Sequence, residues 1–126
     1  MEPDVLARKL GLKPGLRIVL VNRPDGWNAV PNANLDTGPE PADVIIVFFT
    51  AAVEIPPVLP DLAQRIYPAG AIWAAWPRRA GGHRSDITDN VIREHALPMG
   101  LVDVKVAAID EDWSGLRLVW RVENRR

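Results

Sequence analysis

Apolar positions in this chain fall in short blocks separated by proline and glycine, and the spacing within the blocks changes along the sequence. Val5, Leu6 and Leu10 share one helical face behind Asp4 as N-cap, and Gly11 closes this lead-in helix. After the turn Lys13-Pro14-Gly15, Leu16 to Val21 is a nearly continuous branched-apolar run, the pattern of a strand covered on both faces. Asp43 to Phe49 repeats that pattern more strongly and ends at Thr50. Between these strands, Asn22 to Ala42 holds Pro24, Pro31, Pro39 and Pro41 with Gly26 and Gly38. Such a segment admits a turn of helix at Gly26 to Val30 and a short edge strand at Ala33 to Asp36, and no longer element.

Leu59, Leu62, Ala63 and Ile66 recur at helical spacing, so Ala51 to Tyr67 is expected to be helical in its second half. Pro56, Pro57 and Pro60 suit only a first turn or a broken start. Ala71 to Trp76 is a third strand, followed by the loop Pro77 to Arg84. Asp86 or Thr88 then caps a helix that turns Ile87, Val91, Ile92 and Ala96 inward and stops at Pro98-Met99-Gly100. Leu101 to Ile109 and Leu116 to Val122 read as two strands of an antiparallel hairpin, joined by the polar link Asp110 to Gly115. This order predicts one α/β domain over residues 1–126. It is Rossmann-like, a mostly parallel sheet with helices on both faces and a C-terminal antiparallel hairpin.

Composition narrows the chemistry more than the fold. A net charge of -1 with 25% charged residues gives no bulk-charge argument for nucleic acid. The absence of cysteine excludes disulfides, thiolate nucleophiles and sulfur-ligated zinc; with His83 and His95 the only histidines, a histidine-rich metal site is excluded too. The start of the chain lacks the basic and apolar regions of a leader, and the longest apolar run is far short of the ~20 residues that span a membrane. A cytoplasmic protein with no membrane segment is expected.

Two resemblances follow from the residues. The strand after Leu12-Lys13-Pro14-Gly15, the strand Asp43 to Phe49 with its helix, Tyr67-Pro68-Ala69-Gly70-Ala71-Ile72-Trp73, a second helix and a closing hairpin resemble the S-adenosylmethionine-dependent methyltransferase fold, in truncated form. That resemblance implies a last strand running antiparallel between two parallel neighbours. The strings Ala7-Arg8-Lys9-Leu10-Gly11, Trp73-Ala74-Ala75-Trp76-Pro77-Arg78-Arg79, Asp86-Ile87-Thr88, Gly100-Leu101-Val102-Asp103-Val104-Lys105-Val106 and Asp112-Trp113-Ser114-Gly115-Leu116 are similar to an uncharacterised family of small bacterial proteins grouped as a domain of unknown function. The chain departs from methyltransferases where their first strand enters a glycine-rich turn, since here the strand enters Asn22-Arg23-Pro24-Asp25-Gly26-Trp27. The resemblance implies that the residue holding a cofactor ribose would be Asp36.

Ligands in open α/β sheets settle beyond the carboxyl ends of the strands. By position the candidates are Asn22, Asp25, Thr50, Trp76, Arg78, Arg79, His83, Arg84 and Ser85. The loop Arg78 to Asp86 joins cationic side chains, a Gly-Gly pair and a helix start, a pattern suited to an anionic small molecule, with the solvated loop as its plain alternative. Turn and cap chemistry equally explains Asp25-Gly26 and Thr50. Trp73 and Trp76 must point to opposite faces, and Trp27 and Trp113 are candidates for loop anchors or a self-association surface. The acidic link Asp110-Glu111-Asp112 is a solvated turn, placed opposite Arg121, Arg125 and Arg126. Three readings stay open: a non-catalytic ligand-binding or regulatory module that lost the glycine-rich turn, a small enzyme acting on a nucleotide-like or phosphorylated ligand as a divergent methyltransferase, and a protein-interaction domain. No catalytic residue or cofactor is assigned.

Overall fold

The computed structural model describes residues 3–30, 33–35 and 38–125; Asp36, Arg126 and the side chain of the expected cap Asp4 lie outside the described set. In chain order the elements are α1 (Pro3–Leu10), β1 (Ile18–Val21), β2 (Asn34–Leu35), β3 (Val44–Phe48), α2 (Ile55–Arg65), β4 (Ala71–Pro77), α3 (Asp89–Ala96), β5 (Leu101–Ala108) and β6 (Trp113–Trp120). They form one six-stranded sheet in the order β2-β1-β3-β4-β6-β5. The first four of these are mutually parallel, and β6 is antiparallel to both β4 and β5. The last strand therefore lies between two parallel neighbours, as the methyltransferase resemblance implies.

Alternation along each strand sends its side chains to two separate cores. On one face Val19, Ile45, Val47, Ile72, Leu116 and Leu118 pack against Leu59 and Leu62 of α2 and Ile92 and Ala96 of α3. On the other, Leu20, Ile46 and Trp73 pack against Leu6 and Leu10 of α1 and against Trp27. The helices thus cover both faces. Trp73 is fully buried and its Nε1 donates to the Leu10 carbonyl at 2.9 Å, while Trp76 faces the α2 and α3 side.

Three boundaries differ from the sequence reading. The turn of helix expected at Gly26 to Val30 is a tight turn in which Trp27 N–H donates to the Pro24 carbonyl and Gly26 takes a φ of 76°. Pro60 lies within α2, preceded by a turn of 3-10 helix at Ala52–Glu54; it is exposed, so the carbonyl it leaves unbonded lies near solvent. β6 begins at Trp113, earlier than expected, and the link shrinks accordingly. Arg121 and Arg125 are at the far end of β6 from the acidic link, about 26 Å along eight residues of strand, so they do not oppose it.

Candidate functional site

The sheet order reverses between β1 and β3, because β1 connects to β2 on one side and pairs with β3 on the other. Their carboxyl ends, Asn22 and Thr50, come together there as the sequence position requires. A cavity of about 420 Å³ opens at this point, lined by Asn22, Pro24, Phe48, Thr50, Glu54 and Trp113 among others. Asn22 adopts a φ of 58°, the only positive φ of a non-glycine residue among the described residues, and so turns the chain sharply out of β1. Asp25 takes its place in the exposed turn that follows and is not among the residues lining the cavity between β1 and β3.

Trp27 folds back from this turn over the end of β3. Its ring meets Phe48 edge-on at 4.9 Å, Phe48 meets Trp113 at 5.0 Å, and Trp27 Nε1 donates to Asp110 Oδ2 at 2.9 Å. Trp27 is therefore a loop anchor. Asp110 also accepts from the N–H groups of Asp112 and Trp113 through Oδ1, which shapes the acidic link as a turn.

Backbone donors at the end of β3 are taken by the chain's own carboxylates. Glu54 accepts from Thr50 N–H at 2.7 Å, from Thr50 Oγ1 at 2.9 Å and from Ala51 N–H at 3.3 Å. Asp86, one of two expected helix caps, instead accepts from Ala52 N–H at 2.9 Å, and Thr88 alone caps α3 by accepting from Val91 N–H. The Thr50 N–H bond lowers the Glu54 pKa from its ordinary value against the opposing effects of burial and of Asp86, so Glu54 is an anion at neutral pH.

The remaining candidates gather at the end of β4. A small cavity of about 170 Å³ is lined by Trp76, Arg79, His83, Ser85 and Asp89 among others. Arg78 and Arg84 line neither this cavity nor the one at β1 and β3. Ser85 Oγ donates to the Thr50 carbonyl at 3.2 Å and so ties the two loops together. His83, isolated in sequence, has a partner in space: its Nε2 lies 2.8 Å from Asp112 Oδ1. Sequence reasoning missed Asp112 because 29 positions separate the pair. It also missed Glu54, although a threonine followed closely by glutamate ahead of an apolar run is a helix-start signal. No group of three or more acidic or histidine side chains suited to a metal is present among the described residues.

Solved structures of the same architecture exist. Magnesium protoporphyrin IX methyltransferase (ChlM) from Synechocystis PCC 6803, solved with bound SAM, matches with a TM-score of 0.63 at 11% identity over 94% of this chain and 76% of that one. The chain has the fold of the S-adenosylmethionine-dependent methyltransferases. TnmH matches with a TM-score of 0.62 at 16% identity, over 95% of this chain and 54% of that one. A SAM-dependent methyltransferase from Aquifex aeolicus matches at 0.57 and 12% identity, over 93% and 88%. The chain thus spans about half the length of TnmH. No family profile matches the sequence, and no curated protein is similar to it.

The usual seat of the cofactor is not built here. A glycine-rich turn brings bare backbone close to a ligand, whereas β1 runs into Asn22 and a proline-bearing turn that ends in the Trp27 ring. The N–H groups at the end of β3 already hold Glu54 and Asp86. These residues do not fit S-adenosylmethionine in that pose.

Proposed function

We propose that the chain is a non-catalytic ligand-binding or regulatory module of methyltransferase-like fold. The observation that supports this reading is the occupation of the backbone donors at the switch point by Glu54 and Asp86. What remains open is a crevice of about 420 Å³ with Phe48 and Trp113 as aromatic walls and one ionised carboxylate. Such a site suits a small, flat, apolar body carrying a hydrogen-bond donor or a positive charge toward Glu54. Titration with S-adenosylmethionine and S-adenosylhomocysteine tests the first half; no saturable binding is expected up to about 1 mM, and micromolar affinity or methyl transfer to any acceptor overturns it. Amide-resolved NMR with tryptamine and with indole-3-propionate as probes tests the second half. Shifts at Asn22, Thr50 and Trp113 with the amine are expected, and a preference for the acid refutes the charge assignment.

A second reading, binding of an anionic small molecule at the β4 end, is favoured by the guanidinium groups of Arg78, Arg79 and Arg84, which make no hydrogen bond or ion pair with described residues. Replacing all three with alanine is expected to abolish phosphate-induced stabilisation with little change in folding. Unchanged affinity removes that site.

A further inference from the structure

Beside the crevice at the end of β3 is a second, larger cavity of about 720 Å³, between α2 and residues 38–41. Buried Val21 and Leu62 form its floor, with Pro39 and Pro41 on one side and Asp61 and Arg65 of α2 on the other. The two cavities share Asn22, Pro57 and Val58, so they adjoin. Glu54, Pro57, Val58, Asp61, Leu62 and Arg65 each line one or both, and their spacing of i, i+3, i+4, i+7, i+8 and i+11 is a single helical face. A continuous groove therefore follows α2 for about 16 Å, from Glu54 to Arg65.

The groove is negative at two places and apolar between them. Glu54 Oε1 accepts the Thr50 and Ala51 N–H groups, whereas Oε2 accepts only the Thr50 hydroxyl. A carboxylate offers about four acceptor positions, so Oε2 keeps one for a ligand. Asp61, two turns further on and about 10 Å along the helix, is exposed and makes no hydrogen bond or ion pair with described residues. Arg65, the one cation lining either cavity among the described residues, gives its Nε to the Glu40 carbonyl at 2.8 Å. The field of the groove thus favours cations and repels acids. Asn22 stands at the junction, with a φ of 58° that glycine takes without steric cost. The position carries a carboxamide instead, which makes no hydrogen bond with described residues, so its carbonyl oxygen is open to a donor.

We infer that the ligand of the carboxyl-end crevice is an elongated cationic amphiphile, whose flat ring and protonated secondary amine occupy the cavity at Phe48, Trp113 and Glu54 and whose aliphatic tail lies along α2 in the larger cavity. The inference rests on the reading of that crevice as a site for a flat cation and extends it to a second cavity and to Asn22. A protonated secondary amine has two N–H donors, one for Glu54 and one for the Asn22 carbonyl oxygen. Pro57, Val58, Leu62, Pro39 and Pro41 then cover the tail, and Asp61 at the rim excludes a tail that ends in an acid. Each cavity has a volume within the range of small-molecule sites.

The test is titration of the ¹⁵N-labelled chain with tryptamine, N-butyltryptamine and N-hexyltryptamine, in about 150 mM salt so that loose surface attraction is screened. Affinity is expected to rise about threefold for each buried methylene, and the shifts to spread from Asn22, Thr50 and Trp113 to Gly38, Val58, Asp61 and Leu62. Asp61→Trp, at an exposed helix position, fills the larger cavity and should remove the gain of the hexyl compound over tryptamine. Asn22→Gly suits the local backbone and so keeps the fold, and it should weaken the hexyl compound at least fivefold. If tryptamine binds and the hexyl compound binds no tighter, with shifts confined to Asn22, Thr50 and Trp113, the extension is overturned and the crevice reading stands. If none of the three amines saturates, both fall. A gain that survives Asp61→Trp, or tail-dependent shifts away from α2, places the tail elsewhere and overturns the assignment.

Discussion

Glu54 shows how one side chain can close a site that the fold would leave open. It collects two N–H groups and a hydroxyl at the end of β3, and these bonds favour its charged form. Its pKa in the folded chain is below the ordinary 4.5, so its contribution is fully present above that value and is lost as pH falls through the lowered one. Glu54→Gln is expected to cost roughly 1 kcal/mol at neutral pH, the scale of losing a helix-start cap. The variant should also lose less stability than the parent on acidification from about pH 5 to about pH 3, as read from urea midpoints. His83 and Asp112 behave differently, because their side chains are 44% and 61% exposed. His83→Ala is expected to change stability by less than about 1 kcal/mol, so a larger loss in denaturant titrations would show that the pair does more than hold a loop.

Among the elements, the β4 loop and the β5–β6 link act as one unit. Arg78 N–H donates to the Asp112 carbonyl at 2.7 Å, and a Cβ on Gly81 would lie 2.2 Å from the Glu111 carbonyl oxygen. The Glu111 oxygen belongs to the backbone and a Cβ is fixed by its own backbone, so nothing can rotate away. Gly81→Ala is expected to push the loop off the link and destabilise the chain by about 1–3 kcal/mol, the scale of overpacking, with loss of the His83–Asp112 contact by NMR. Gly115 explains why the start of β6 was misread from the sequence. Ser114-Gly115 has the composition of a turn, but a Cβ on Gly115 would meet Ile109 Cδ1 at 2.8 Å and Trp73 Cε3 at 3.0 Å. The glycine is there to let Ile109 and Trp73 close over the strand.

For the molecule as a whole, the Trp27 ring joins the turn after β1 to the end of β3 and to the β5–β6 link. The chain covers 54% of TnmH and 76% of ChlM, and the irregular stretch of residues 22–30 is held to the sheet partly by this one ring, packed on Phe48 and bonded to Asp110. Trp27→Ala is expected to cost about 3–5 kcal/mol, as for other large aromatic truncations, and to make residues 22–30 the first site of protease cleavage. Cleavage elsewhere first, or a loss near zero, would show that the segment is anchored by other contacts.

Strands, helices and their faces were legible along the chain because burial leaves either a period or an unbroken apolar run in each of the longer elements. The unbroken apolar runs at β1 and β3 mark central strands, the odd spacing of Trp73 and Trp76 separates their faces, and Thr88 before Asp89 marks a helix start. The parallel order and the inserted last strand then follow from short connections of one handedness together with the resemblance. The meeting of His83 with Asp112 and the capture of Ala52 N–H by Asp86 were not legible. They join residues from separate elements, and no local propensity encodes which loop ends share a sheet edge. Side-chain chemistry is written in the sequence, but which groups face one another depends on how six strands are ordered.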